Sequence, residues 1–194
     1  MNNAFAVQCV IENRRRFLHP CHVKLAGFVA LLLTATLLAG CKKSGGTTAP
    51  PPSLDDLLPK QAQPKLPTIK IYVGPETLNA ELATTAQEEM TGMMYRTNIQ
   101  ETDAMLFVFP QPYRASFWMK NCPESLSAAY VGPDGVIKEI HHLEKNNTNS
   151  VVASTSDIQY VLEVNDGWFG RHNVGTGAVI RTEKGSLTET FFRN

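Results

Sequence analysis

Between Gly92 and Asn121 the chain gathers most of the side chains that could do chemistry. Ser116-Phe117-Trp118-Met119-Lys120-Asn121 joins a hydroxyl, an indole, an ammonium and a carboxamide in one short stretch. As a strand its side chains alternate, so Ser116, Trp118 and Lys120 share one face while Phe117 and Met119 pack behind them. An indole offers a flat ring for stacking on a sugar, a base or a cation, and an ammonium adds a positive point charge. Upstream, Arg96 closes the segment Gly92-Met93-Met94-Tyr95-Arg96. Its guanidinium either complements the end of a helix or clamps a carboxylate or phosphate bidentately. The candidate ligand-binding set is therefore Trp118, Lys120, Asn121, Arg96 and Ser116, and no catalytic residue is singled out.

Other reactive residue types carry less. His141 and His142 are adjacent in a strand-like stretch, face opposite sides and cannot both ligate one ion. His172 is the one further histidine beyond Cys41, and no cysteine cluster accompanies it, so neither a metal nor a cofactor is expected. Cys122 with a histidine as base would form a nucleophilic pair, but a small, buried, inert thiol is the plainer reading. Trp168 reads as core or rim packing. Gly175-Thr176-Gly177 lacks a strand–helix phosphate frame and reads as a turn.

The elements that must position these residues follow from periodicity. Ile69, Ile71 and Val73 alternate with Lys70 and Tyr72, Gly74-Pro75 marks a turn, and Leu78–Leu82 alternates again, which predicts a hairpin. Thr85 and Glu88 fit a capping box, so a helix is expected over 86–95 with Met90, Met93 and Met94 on one face. Met105–Phe109 is a buried strand. Arg114–Met119, Leu126–Val131, Val136–His142, Tyr160–Val164 and Val179–Arg181 read as further strands, with a short helical turn near 166–172. Residues 143–159 are polar and irregular, which suggests a lid or mobile loop. Seven or eight short strands with one clear helix predict a mainly β fold with a minor α+β component, a small sandwich or barrel.

The first 67 residues are organised differently. Residues 25–40 carry no charge. That apolar run is shorter than the ~20 residues a membrane span needs and suits the core of a signal peptide. It ends in Leu38-Ala39-Gly40-Cys41, which resembles the lipobox of bacterial lipoproteins, where the cysteine thiol receives diacylglycerol before the chain is cut. Arg14-Arg15-Arg16-Phe17-Leu18 resembles a twin-arginine export signature. After Cys41 come Pro50, Pro51 and Pro52, then Pro59, Pro64 and Pro67, an extended tether. The expected organisation is a signal peptide at 1–40, a lipidated Cys41 with a tether at 41–67, and one domain at 68–194. Residues 1–40 hold four of the 18 basic and one of the 18 acidic side chains, leaving Cys41 onward with 14 against 17, a net charge of −3. A mildly acidic domain without a basic stripe is not a nucleic-acid binder, and a monomer is expected.

Gly92–Arg96, Met105–Pro110 and Ser116–Asn121 together resemble a bacterial and archaeal family, the domain of unknown function 192. In that family G-L-M-x-R, G-M-L-F-x-F and S-F-W-M-K-N segments follow in this order. The likeness runs from roughly Ile69 to Arg181 and implies a small jelly-roll-like β fold. The family has no established activity. Its N-T-x-x-P-L-D segment appears here as Asn121-Cys122-Pro123-Glu124-Ser125-Leu126-Ser127. Cys122 thus replaces a threonine, and Ser127 replaces an aspartate for which Glu124 is the nearest substitute. The function these readings imply is an exported, membrane-anchored envelope lipoprotein that binds a small or glycan-like ligand or serves as an accessory module. The alternatives are an envelope hydrolase using a single carboxylate or histidine, and a structural partner in an envelope complex.

Overall fold

A computed structural model describes residues 53–193. The stretch expected to hold an export signal, a lipidated Cys41 and the beginning of the tether lies outside the described residues. Ten strands and four short helices make up the domain. β1 (Thr68–Val73) and β2 (Glu76–Ala83) form the expected hairpin, with Ile71 opposite Leu78. β2 then pairs in parallel with β3 (Asp103–Tyr113), the crossover being made by α2 (Ala86–Thr91) and the loop after it. β4 (Ser116–Phe117) leaves the main sheet and pairs with β7 (Val151–Val152). β5 (Leu126–Val131) and β6 (Ile137–Leu143) form a second hairpin, and β8 (Ile158–Asn165) inserts between β3 and β5. β9 (Ile180–Thr182) and β10 (Gly185–Ser186) extend the sheet beyond β1, giving the order β10-β9-β1-β2-β3-β8-β5-β6. The remaining helices are α1 (Leu54–Leu57), α3 (Trp168–Arg171) and α4 (Leu187–Phe191).

The fold is mainly β, as the sequence predicts, in a mixed eight-stranded sheet that does not close into a barrel, with the β4–β7 pair as a separate two-stranded sheet. It curls far enough for the start of β6 to meet the start of β9 at one isolated bridge, Val136 to Val179. Both faces are covered. One carries Ile71, Val73, Leu106, Ala129, Tyr160 and Leu162 under Trp168 and Leu187. The other carries Met105, Phe107, Ala128, Tyr130 and Val161 under Met93, Met94 and Met119. Central strands covered on both sides read as continuous apolar runs, and β8 is buried from Ile158 to Val164. The strands with no counterpart among those expected, β7 and β10, are two residues long, too short to leave an alternating signature.

Three local expectations change. The helix expected over 86–95 ends at Thr91, because Gly92 (φ 46°) turns the chain while its N–H reaches Glu88 O, and Tyr95 (φ 61°) turns it again. The capping box itself is present on both sides, Thr85 receiving Glu88 N–H and Glu88 receiving Thr85 N–H. The expected lid at 143–159 is pinned instead: Met119 N–H donates to Asn147 O, Ala153 N–H to Ala115 O, and Tyr130 Oη–H to Val151 O. Part of the stretch read as tether lies against the domain. Leu58 is buried, Leu66 packs on the same apolar cluster, and Gln63 Nε2 donates to Gly92 O at 2.9 Å. Among the described residues no helix is long and apolar enough to cross a membrane.

Candidate functional site

A cavity of about 90 Å³ lies between α2 with its following loop and the covered face of the sheet. Its roof is Ala86, Met90 and Gly92, its floor is Phe107 and Glu163, and its side wall is Ser116, Phe117 and Trp118. The roof is set by the capping box, which starts α2 at Ala86, and by Gly92, which ends it after Thr91. A side chain at Gly92 would crowd the floor, since an added Cβ would lie 3.2 Å from the Phe107 ring and 4.0 Å from Glu163 Oε2. The side wall is fixed by β4 pairing with β7, with Ser116 opposite Val152 and Phe117 opposite Val151. Phe117 is braced edge-on by Phe107, ring centroids 5.1 Å apart, and Phe109 meets Tyr113 at 4.7 Å.

Glu163 is the residue that sequence reasoning missed. It stands on β8 with Met105 opposite on β3 and Ala128 opposite on β5, in the middle of the sheet. It is 4% exposed, and its carboxyl lines the cavity. Burial pushes its pKa up to about 8, and the Arg96 charge pulls the other way without cancelling the effect. No hydrogen bond from a described residue offsets that burial. The signal was present in Tyr160-Val161-Leu162-Glu163-Val164, where one carboxylate interrupts a strand too apolar to be half-exposed. Around it the negative charge acts outward. The Cys122 thiol is raised to about 12 by burial and then by Glu163, and burial and Glu163 likewise raise the Tyr130 hydroxyl. Such a thiol is not a nucleophile at neutral pH.

The five residues proposed from sequence separate. Ser116 and Trp118 line the cavity, and Ser116 Oγ is buried without a hydrogen-bond partner. Arg96, Lys120 and Asn121 are not among its lining residues. Arg96 is engaged bidentately by Glu81 (Nη1–Oε1 2.7 Å, Nη2–Oε2 2.8 Å), and Leu66 N–H also donates to Glu81. Burial favours the neutral Glu81, but the Arg96 and Leu66 donors hold its carboxyl below the ordinary range. Lys120 pairs with Asp55 and lies over the Trp118 ring, 5.7 Å from its centroid. Asn121 (φ 61°) forms the turn that accepts Tyr95 N–H at 2.7 Å, so its role is positional. Alternation also breaks at this segment. β4 ends at Phe117, so Phe117 and Trp118 both line the cavity while Met119 is buried behind them.

The three histidines of the described residues are engaged elsewhere. His141 pairs with Glu139, His142 with Glu144 and Asp166, and His172 with Glu76 and Glu101. Among the described residues no group of three or more His, Cys, Asp or Glu could hold a metal ion. Trp168 is buried and stacks on His172 with centroids 4.4 Å apart.

A family profile described as an uncharacterised ACR, domain of unknown function 192, matches residues 69–182. The chain belongs to this family. Among solved structures it resembles a Sinorhizobium meliloti protein provisionally named a transcription regulator, at 25% identity and a TM-score of 0.58, over 62% of this chain and 98% of the other. It also resembles a Novosphingobium aromaticivorans protein of unknown function, at 27% identity and a TM-score of 0.58, over 62% and 90% of the two chains. No curated protein matches it.

Within the domain of unknown function 192 pattern, the departure at Ser127 lies away from the cavity. Leu126, Ala128 and Tyr130 of β5 pack into the cavity-side cluster, so Ser127 faces the opposite side of the sheet. There its Oγ accepts Gly167 N–H at 2.9 Å, with Asp166 Oδ1 at 3.5 Å. Glu124 caps the loop before β3 by accepting the N–H groups of Asn98 and Ile99.

Proposed function

We propose that this protein is a ligand-binding module of the cell envelope, anchored through a lipid on Cys41, whose ligand enters the cavity under α2. One observation carries the reading: the Ser116 hydroxyl is buried without a hydrogen-bond partner in the wall of a mostly apolar cavity that also holds the buried carboxyl of Glu163. Buried polar groups are normally satisfied, and an apolar pocket with a few convergent polar groups is the usual form of a small-molecule site. The lipid anchor is supported by the lipobox-like Leu38-Ala39-Gly40-Cys41 after an uncharged apolar run.

An envelope hydrolase is the second reading, and the raised pKa of Glu163 favours it, since catalytic acids and bases are often tuned this way. General acid–base work needs a partner within about 3 Å. No hydrogen bond joins Glu163 to Ser116 or Cys122, which leaves binding better supported than catalysis. The large apolar side chains most open to solvent, Leu57, Tyr95, Val152, Val179 and Phe192, stand on separate segments rather than one element, which gives little support to a scaffold.

The test is to fill the cavity from its roof. Ala86 is a small residue on the first turn of α2, and Ala86→Phe should occupy the space while leaving the core contacts in place. The full chain in detergent, screened by thermal shift against envelope small molecules, should give a ligand whose stabilisation disappears in Ala86→Phe. Stabilisation that survives unchanged in that variant would place binding elsewhere.

A further inference from the structure

Resting on that reading, we infer that the cavity is a site for small organic cations, an ammonium head carrying methyl or short alkyl groups, with Glu163 as the counter-charge. The ionisable carboxylates in the lining are both acidic, Glu89 and Glu163, and no Lys, Arg or His lines it. Rings from Phe107, Phe109, Tyr113, Phe117 and Trp118 surround the same space. Their faces carry partial negative charge, and aromatic walls beside a carboxylate are what an alkylated ammonium needs: cation–π attraction without hydrogen bonds. Trp118 already holds one ammonium in this way on the outside, with Lys120 Nζ 5.7 Å from its centroid. A neutral polar ligand fits less well, because the walls offer few donors and acceptors. An anion would find no positive side chain in the lining.

Size and access agree. About 90 Å³ is smaller than the ~150 Å³ of an engineered dry cavity that takes benzene, and suits a compact head group. The absent Cβ of Gly92 leaves open the space 4.0 Å from Glu163 Oε2.

Binding is then coupled to a proton. The empty site holds Glu163 largely protonated at neutral pH, and entry of a fixed cation favours the carboxylate, so the carboxyl proton leaves to solvent. The charges that face Glu163 are the opposing Arg96, itself committed to Glu81, and the lining Glu89; Cys122 and Tyr130 stay neutral beside it. Affinity for a non-titrating cation should therefore rise with pH up to the folded pKa of Glu163 and level off above it.

Tetramethylammonium chloride and its near-isosteric neutral counterpart tert-butanol are the probes, titrated into the full chain in detergent against matched sodium chloride. Binding is followed by tryptophan fluorescence and thermal shift. Saturable tetramethylammonium binding is expected, strengthening on the order of tenfold from about pH 6.5 to about pH 8.5. It should be lost in Ala86→Phe and weakened at least about tenfold in Glu163→Gln. If Glu163→Gln does not fold, the pH dependence of the unaltered protein carries the test. Tert-butanol binding as strongly as tetramethylammonium, and still blocked by Ala86→Phe, would overturn the cationic class and leave the ligand-binding reading standing. Absence of tetramethylammonium binding, or binding indifferent to pH and to Glu163→Gln, also overturns the inference.

Discussion

Glu163 couples folding to pH because the folded protein keeps a proton that the unfolded chain gives up. Its carboxyl titrates near 8 when folded, against an ordinary value of 4.5. Between these values stability falls as pH rises, by about 1.4 kcal/mol per pH unit at the steepest. Glu163→Gln should remove that slope, so urea midpoints of the variant and the parent should diverge progressively from about pH 5 to about pH 8, the variant gaining. Parallel midpoint curves would mean that the carboxyl is not buried as described. His142 and His172 contribute in the same direction, since their carboxylate partners raise their pKa and that stability is lost as they deprotonate. Both clusters are at least partly exposed and weak, and both persist in the variant, so the difference isolates Glu163. The residue was legible only as an anomaly. Motif reasoning followed the indole and ammonium of Trp118 and Lys120, whereas the buried carboxyl lay some forty positions later in a strand that seemed wholly structural.

At the scale of elements, the α2 start was readable because its cause is local. Thr85 and Glu88 are three apart, and each satisfies an N–H that the first helical turn leaves open (Glu88 N–Thr85 Oγ1 3.3 Å, Thr85 N–Glu88 Oε2 2.9 Å). Thr85→Ala should cost about 1 kcal/mol. Because α2 roofs the cavity, it should also weaken any ligand that Ala86→Phe excludes. A denaturation midpoint that does not move would show the helix to be held by packing of Met90 and Met93 alone. The helix end was less readable: the apolar spacing of Met90, Met93 and Met94 continues past Gly92, and only a positive φ stops it. Non-local pairings were harder still. β4 is two residues long and takes its position from β7, thirty-five residues away, so strand alternation placed Phe117 and Trp118 on opposite faces where the fold brings both to one cavity. The loop at 143–159 looked free for the same reason, since its anchors are backbone groups of distant segments.

The molecule as a whole joins its cavity to its N-terminal arm. Leu58 and Leu66 pack on the cluster beneath α2, Tyr95 Oη–H donates to Pro59 O at 3.1 Å, and Gln63 bonds the last turn of α2. The arm therefore leaves the domain on the side where the cavity lies. Seventeen residue steps separate Cys41 from Leu58, a chain that cannot span more than about 60 Å. A lipid on Cys41 would keep Leu58, where the arm joins the domain, within that distance of a membrane surface. Two acyl chains at ~0.8 kcal/mol per buried CH₂ would make the attachment durable, where one would be reversible. Cys41→Ser should abolish incorporation of labelled fatty acid and shift the protein from the membrane fraction to the soluble fraction or to an uncut precursor. The thermal midpoint of the domain should not change, because Cys41 lies outside the segment 69–182 that the family profile matches. Unaltered acylation and membrane association in Cys41→Ser would remove the anchor. Lost acylation with retained membrane association would instead assign attachment to the uncleaved apolar run at 25–40.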